Sequence, residues 1–227
     1  MATLHIVATP IGNLEDISKR ALRILSEVDL ILCEDTRVTK KLTDRYQIKT
    51  PLLSYHQHSR LQKIDYIIDL LKQGKNLALV SDAGTPGISD PGNKLVEKAN
   101  ESLGDLVKII PIPGSSATVA AASVSGFPMD KFTFLGFPPI KKKRKKFFNE
   151  IINFKYPVIF YESPYRIIKS LEDLKLESKI SNLEIKLVVC RELTKKFETI
   201  YRGTIEEVIG KIKNDKIMGE FVIIAKR

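Results

Sequence analysis

The sequence predicts an α/β protein of two domains, the first on a mainly parallel sheet and the second on a mixed one. Three observations carry this. Short apolar runs alternate with amphipathic stretches over residues 4–112, the pattern of buried parallel strands joined by crossover helices. After Pro113-Gly114 the order changes, and strand-like runs follow one another with fewer helices between them. The length of 227 residues and a hydrophobic content of 43% allow one large domain or two, each with its own core.

Taken in order, LHIVA (4–8) reads as a short buried strand that turns through TPIGN into a helix over about 14–28. Ile17, Ala21, Ile24 and Val28 share one face of that helix, and Asn13 is its expected N-cap. LILC (30–33) is the next strand. SRLQKIDYIIDLLKQG (59–74) follows as a helix whose face holds Leu61, Ile64, Ile68 and Leu71, stopped by Gly74. NLALV (76–80) is a strand, 93–103 a helix ended by Gly104, and VKIIPI (107–112) a strand. PIPGSSATVAAASVSGF (111–127) contains the expected joint, with a small-residue helix from about Ser115. The domains are therefore read as 1–113 and 114–227. FTFLGF (132–137), VIFY (158–161), KLVVC (186–190), FETIYRG (197–203) and EFVIIAK (220–226) are the strands of the second half.

Composition narrows the class. The mean hydropathy of −0.08 and the short apolar runs argue against a membrane span, which needs roughly 20 apolar residues. MATLHIVATP lacks the basic start and cleavage signature of a secretory signal. Cys33 and Cys190 sit singly inside strand-like runs, which fits neither a disulfide framework nor a zinc site. The expectation is a cytoplasmic protein without a metal. A net charge of +10 favours a polyanionic partner such as a nucleic acid.

Three loops leave core strands and are rich in small or turn-forming residues: ATPIGN (8–13), SDAGTPGISDPG (81–92) and IPGSSA (112–117). In open α/β sheets, ligands sit outside the carboxyl ends of the strands, so these loops are expected to converge on one crevice. Neither the dinucleotide fingerprint nor the phosphate-loop motif is present. Asp82 and Asp90 would repel a bare triphosphate. They suit a ligand with hydroxyls or positive charge, and S-adenosylmethionine is one such ligand.

Eight ordered blocks then carry a resemblance: ATPIGNLEDIS (8–18), ILCEDTRVTKKL (31–42), SDAGTPGISDPG (81–92), PIPGSSA (111–117), FLGFPP (134–139), FYESPYRI (160–167), CRELTKKFET (190–199) and GEFVIIA (219–225). Together they resemble the ribosomal RNA small-subunit methyltransferase I family of the tetrapyrrole-methylase superfamily, along nearly the whole chain. The resemblance implies S-adenosylmethionine-dependent 2′-O-methylation of a cytidine in 16S ribosomal RNA near the decoding centre. It also implies two α/β domains with the cofactor in the cleft between them, and a homodimer. It places Pro10, Gly12, Asp82, Ala83, Gly84, Ser115, Ser116, Ala117, Tyr161, Glu162 and Cys190 at the cofactor. Ser-Asp-Ala stands where the superfamily has Gly-Asp-Pro, and Glu162 follows Tyr161 where many relatives have Met.

Several residues carry two readings. Asp82 binds ribose or the methionine amino group, or it closes an Asx turn; the ligand role is the expectation here. Asp90, before Pro91-Gly92, is read as turn chemistry. Ser115 and Ser116 cap a helix and line the cofactor site at once. Glu34, Asp35, Glu192 and Lys195 are the candidates for activating the substrate hydroxyl, by accepting its proton or by stabilising the oxyanion. Asp35 and Thr36 equally suit a helix cap. Arg37, the run Lys141, Lys142, Lys143, Arg144, Lys145, Lys146, and then Arg191 and Lys196, are the expected RNA contacts. Aromatic residues on both sides of the run are available for stacking. His56 and His58 are read as solvent-exposed, with RNA contact as the alternative.

Overall fold

In the computed structural model the described residues are 1–56, 61–90 and 92–227, with Leu61 described by its backbone only. His58, the first helical residue expected at Ser59, the core side chain expected at Leu61, and Pro91 lie outside that description. The chain forms two compact units, Met1–Ser116 and Ala117–Arg227, dividing after Ser116 where the sequence placed the joint after Pro113.

Among the described residues, the first unit holds five strands: β1 (Ala2–Val7), β2 (Leu30–Cys33), β3 (Leu52–Ser54), β4 (Leu77–Leu79) and β5 (Val107–Ile112). They lie in the order β3-β2-β4-β1-β5, and every pair is parallel. Helices α1 (Lys19–Glu27) and α2 (Thr36–Arg45) cover one face, where Ala21, Leu25 and Leu42 pack on Val7, Ile31 and Ala78. Helices α3 (Leu61–Lys72) and α4 (Asn93–Leu103) cover the other, where Ile67, Leu95 and Ala99 pack on Leu4, Leu32 and Leu79. The central strands alternate burial between these two cores, so they contain almost no polar side chains.

This topology positions the loops. All five carboxyl ends face one edge of the sheet. β4 lies between β2 and β1, and its onward chain passes to α4 on one face while theirs pass to α2 and α1 on the opposite face. The chain thus parts on both sides of β4, the arrangement that opens a crevice at the strand ends.

The second unit has a mixed sheet in the order β6-β7-β10-β8-β9: β6 (Thr133–Phe134), β7 (Val158–Glu162), β10 (Phe221–Lys226), β8 (Lys186–Arg191) and β9 (Thr199–Thr204). Only β6 and β7 pair in parallel. Helices α6 (Arg144–Asn153), α7 (Ile167–Ile180) and α8 (Ile205–Lys213) bury one face through Phe148, Ile152, Leu171, Leu174 and Val208. Helix α5 (Ala117–Val124) packs on the opposite face against β7 and β10.

Three local features differ from expectation. The helix foreseen over 14–28 is a 3-10 turn, Leu14–Asp16, followed by α1. Asn13 caps only the turn by accepting from the Glu15 amide at 3.1 Å, and Ser18 caps α1 through the Ala21 amide at 3.1 Å. Two good N-cap residues, five positions apart, divide what periodicity alone joins. Strand β3 was not foreseen, and helix α2 only through the reading of Asp35 as a helix cap, which it is; α2 is mostly polar, and β3 is three half-buried residues at the sheet edge. The charge is also unevenly shared. Residues 1–116 carry 15 Lys+Arg against 14 Asp+Glu, and residues 117–227 carry 22 against 13, so the excess lies in the second unit.

Candidate functional site

At the β4 edge of the first unit the three expected loops are joined to one another. Thr9 and Gly84 form an isolated antiparallel bridge, each amide donating to the other's carbonyl at 2.9 and 3.0 Å. The buried Thr9 hydroxyl donates to the Ser81 carbonyl at 3.1 Å, and the Thr85 hydroxyl donates to the Ser115 carbonyl at 3.2 Å. Gly84 sits at φ +83°, and a Cβ there would meet Ile11 Cγ2 at 3.3 Å and the Ser115 carbonyl at 3.6 Å. The left-handed φ calls for glycine, and the Ile11 side chain leaves little room for a Cβ. Pro10 is buried within this junction, Gly12 is exposed, and Ser115 and Ser116 are half-buried.

A fourth segment joins them. Asp82, exposed beside Ala83, accepts the Asp35 amide at 3.0 Å through Oδ1. Asp35 in turn caps α2 by accepting the Arg37 amide at 2.8 Å, and it holds the Arg37 guanidinium at 2.6 Å. The Arg37 hydrogen bonds bring the Asp35 carboxyl down to about 2. Asp90 accepts the Gly87 amide within its own loop, which fits turn chemistry, and its carboxyl is raised first by burial. Glu34 is half-buried. Its carboxyl is raised by that burial and then by the negative charges of Asp82, Asp90 and Asp35. Four carboxylates therefore gather where β2 and β4 end, one of them paired with Arg37.

The second unit places the remaining residues. The Tyr161 and Thr118 hydroxyls are hydrogen-bonded at 2.6 Å, and Phe134 and Phe137 meet the Tyr161 ring edge-on. Ala117 starts α5 one residue before Thr118. Glu162 is fully buried and fully engaged: it accepts the Ser163 amide and the Ser170 hydroxyl and pairs with Arg166 at 2.9 Å. Cys190 is buried in mid-sheet between Ile200 and Val222, and burial pushes its thiol up to about 11. Lys195 bonds Glu192 at 2.8 Å and Glu220 at 2.9 Å. Burial works against its charge, but those two carboxylates win and raise its affinity for a proton. Burial likewise opposes the charge on Glu192, yet Lys195 and the Glu220 amide hold its carboxyl below the usual range.

Two expected RNA contacts are not available to a phosphate. Arg144 is buried in the middle of the basic run. It pairs with Asp173 at 2.6 Å, donates to Ser170 at 2.8 Å and to the Pro139 carbonyl at 3.1 Å, and lies over the Phe148 ring. Arg191 is buried too, pairing with Asp215 at 3.1 Å and donating to the Thr199 hydroxyl and the Lys216 carbonyl. A buried guanidinium needs its donors paired inside the protein, and both of these are held by several internal acceptors. Phe148, beside the run, is buried in the core and unavailable for stacking, and Phe147 is half-buried against it. Lys141, Lys142, Lys143, Lys145, Lys146, Lys196 and Arg37 are exposed, as is His56. Sequence reasoning missed Thr9, whose hydroxyl at the end of β1 ties two loops. It also missed Glu220, the second carboxylate on Lys195, which directly follows a turn glycine at the start of β10.

Comparison with known proteins matches this architecture. The tetrapyrrole (corrin/porphyrin) methylase family model matches residues 3–209. The ribosomal RNA small subunit methyltransferase I of Halalkalibacterium halodurans is 46% identical over 99% of this chain and 75% of its own length. The protein of the same name from Thermotoga maritima is 44% identical over 99% of this chain and 98% of its own. Among solved structures, a cobalt precorrin-4 methyltransferase of cobalamin biosynthesis aligns with a TM-score of 0.69 at 18% identity, over 98% of this chain and 94% of that one. A diphthine synthase aligns with 0.73 at 12%, over 99% and 89%. The structural neighbours share the fold and little of the sequence, whereas the sequence relatives align along nearly the full chain; this chain belongs to the ribosomal RNA small subunit methyltransferase I family of the tetrapyrrole methylases.

Proposed function

We propose that the chain transfers a methyl group from S-adenosylmethionine to the 2′-hydroxyl of a cytidine in 16S ribosomal RNA near the decoding centre, acting as a homodimer. The observation that carries the cofactor half is the carboxylate cluster at the β4 edge, Glu34, Asp35, Asp82 and Asp90, braced by loops that cross at Gly84. Such a site attracts a ligand with a sulfonium and an ammonium group and repels a polyphosphate. The donor set fits S-adenosylmethionine: an exposed carboxylate at Asp82 for hydroxyl or amino groups, and glycine-lined backbone for close approach. The relatives' names and the positive second unit support the RNA half.

When bound, the cofactor supplies an activated methyl on a positively charged sulfur. The residues have two tasks, to place the ribose hydroxyl and to take up its proton; placement alone lowers such barriers by several kcal/mol. Glu34 is the proton acceptor in this scheme. Asp35, at about 2 and committed to Arg37, is too weak a base, and Glu192 is held charged by Lys195. Glu34 combines partial burial with a raised carboxyl, which makes it the stronger base of the group. Lys195 stays protonated between its two glutamates and acts through its charge. Titration calorimetry with S-adenosylmethionine checks the cofactor site. Asp82→Ala is expected to lose at least tenfold in affinity while its melting temperature holds; unchanged affinity would remove Asp82 from the site.

A further inference from the structure

Four loops of the second unit emerge at one edge of its sheet. Phe221, the first residue of β10, pairs with Glu162, the last of β7, and with Arg191, the last of β8; Thr199, the first of β9, pairs with Arg191. The Tyr161 amide donates to the Gly136 carbonyl, which brings the chain after β6 to the same edge. Segments 135–143, 163–166, 192–198 and 214–220 therefore lie side by side.

Two aromatic rings stand out on this edge. Tyr165 is 96% exposed and Phe197 is 67% exposed. Both are rigidly mounted. The Arg166 and Ile167 amides donate to the Ser163 carbonyl at 3.1 and 3.0 Å, and Arg166 pairs with the buried Glu162. The Phe197 carbonyl accepts from Arg191 at 3.4 Å and from the Thr199 hydroxyl at 3.2 Å, and Lys196 lies over its ring. The buried arginines are thus the mounts of this surface. Arg144 ties the Pro139 carbonyl to Ser170, which bonds Glu162, and Arg191 ties the Phe197 loop to Lys216. The exposed Lys141, Lys142 and Lys143 belong to the 135–143 segment of the same edge.

Exposed single apolar residues are common and need no account. Two exposed rings on hydrogen-bonded turns, sharing an edge with exposed cations on the unit that holds the charge excess, form the stacking-plus-phosphate arrangement that binds unpaired nucleic acid. We propose that this edge is the docking surface for the RNA substrate, with Tyr165 and Phe197 stacking on unpaired bases and Lys141, Lys142 and Lys143 meeting phosphates. This rests on the reading of the substrate as RNA.

The test is fluorescence anisotropy of the full chain with a labelled oligocytidine and with an RNA duplex of equal length. Tyr165→Ala and Phe197→Ala are each expected to weaken oligocytidine binding about tenfold. The salt dependence and the duplex affinity should not change, and Tyr165→Phe, which keeps the ring, should bind as wild type. Unchanged melting temperatures establish that the variants fold. If wild type binds the oligonucleotide and both alanine variants bind it equally well, this surface is overturned and the RNA reading stands. If wild type binds neither RNA, both fall.

Discussion

At the residue scale, Glu34 joins chemistry to stability. Its carboxyl is raised by burial and by three neighbouring acids. A group whose folded value lies above its unfolded one favours the fold below the unfolded value and withdraws that contribution as pH rises through the folded one. Glu34 therefore costs stability at neutral pH and not near pH 4. Glu34→Gln is expected to raise the melting temperature at pH 8 and leave it nearly unchanged at pH 4. The same substitution should lower the methyl-transfer rate by about 10²-fold or more and flatten the acid side of its pH profile. A variant with wild-type rates would exclude Glu34 as the proton acceptor. Sequence alone nominated Glu34 among four candidates. It did not separate them, because the separation depends on Asp35 spending itself on α2 and Arg37, and on Glu192 and Glu220 sharing Lys195.

The loops and strands show how local pattern and tertiary packing divide the work. The strands of both sheets were legible because their apolar runs are continuous and bounded by turn residues; EFVIIAK and KLVVC lie almost residue for residue on β10 and β8. β3 was not, since three half-buried residues at an edge leave no periodic signal. Loop function was partly legible. SDAGTPGISDPG advertises close backbone approach, and Gly84 at φ +83° against Ile11 and Ser115 provides it. KKKRKK reads as six equivalent cations, yet Arg144 is a buried anchor among exposed lysines, as Arg191 is at the end of β8. Position in the run carries no hint of that difference; it comes from α6 turning its first residue, the fourth cation of the run, toward α7. Arg191 is buried and satisfies the Lys216 and Phe197 carbonyls and the Thr199 hydroxyl, so Arg191→Met, which removes those donors, is expected to destabilise the chain by roughly 1–3 kcal/mol in denaturant unfolding. Lys142→Gln should change stability by less than about 0.5 kcal/mol.

For the whole molecule, the two units differ in charge as well as in sheet. The first is nearly neutral and concentrates carboxylates at its strand ends; the second holds the excess of cations. Under the proposed function, the carboxylates of the first unit suit the cationic cofactor and the cations of the second suit the polyanionic substrate. Replacing Lys141, Lys142, Lys143, Lys145 and Lys146 by Gln while keeping Arg144 should flatten the salt dependence of RNA binding. The expected change in slope is about 0.7 for each phosphate that is no longer neutralised, with S-adenosylmethionine affinity unchanged. Net charge announced an excess of cations; its concentration in the second unit needed the fold. The most direct measurement is transfer of labelled methyl from S-adenosylmethionine to small ribosomal subunits that lack the modification, followed by mapping of the labelled nucleotide. Label is expected on the ribose of a single cytidine of 16S ribosomal RNA near the decoding centre. Label on a base, or label accepted by a porphyrin and not by the subunit, would contradict it.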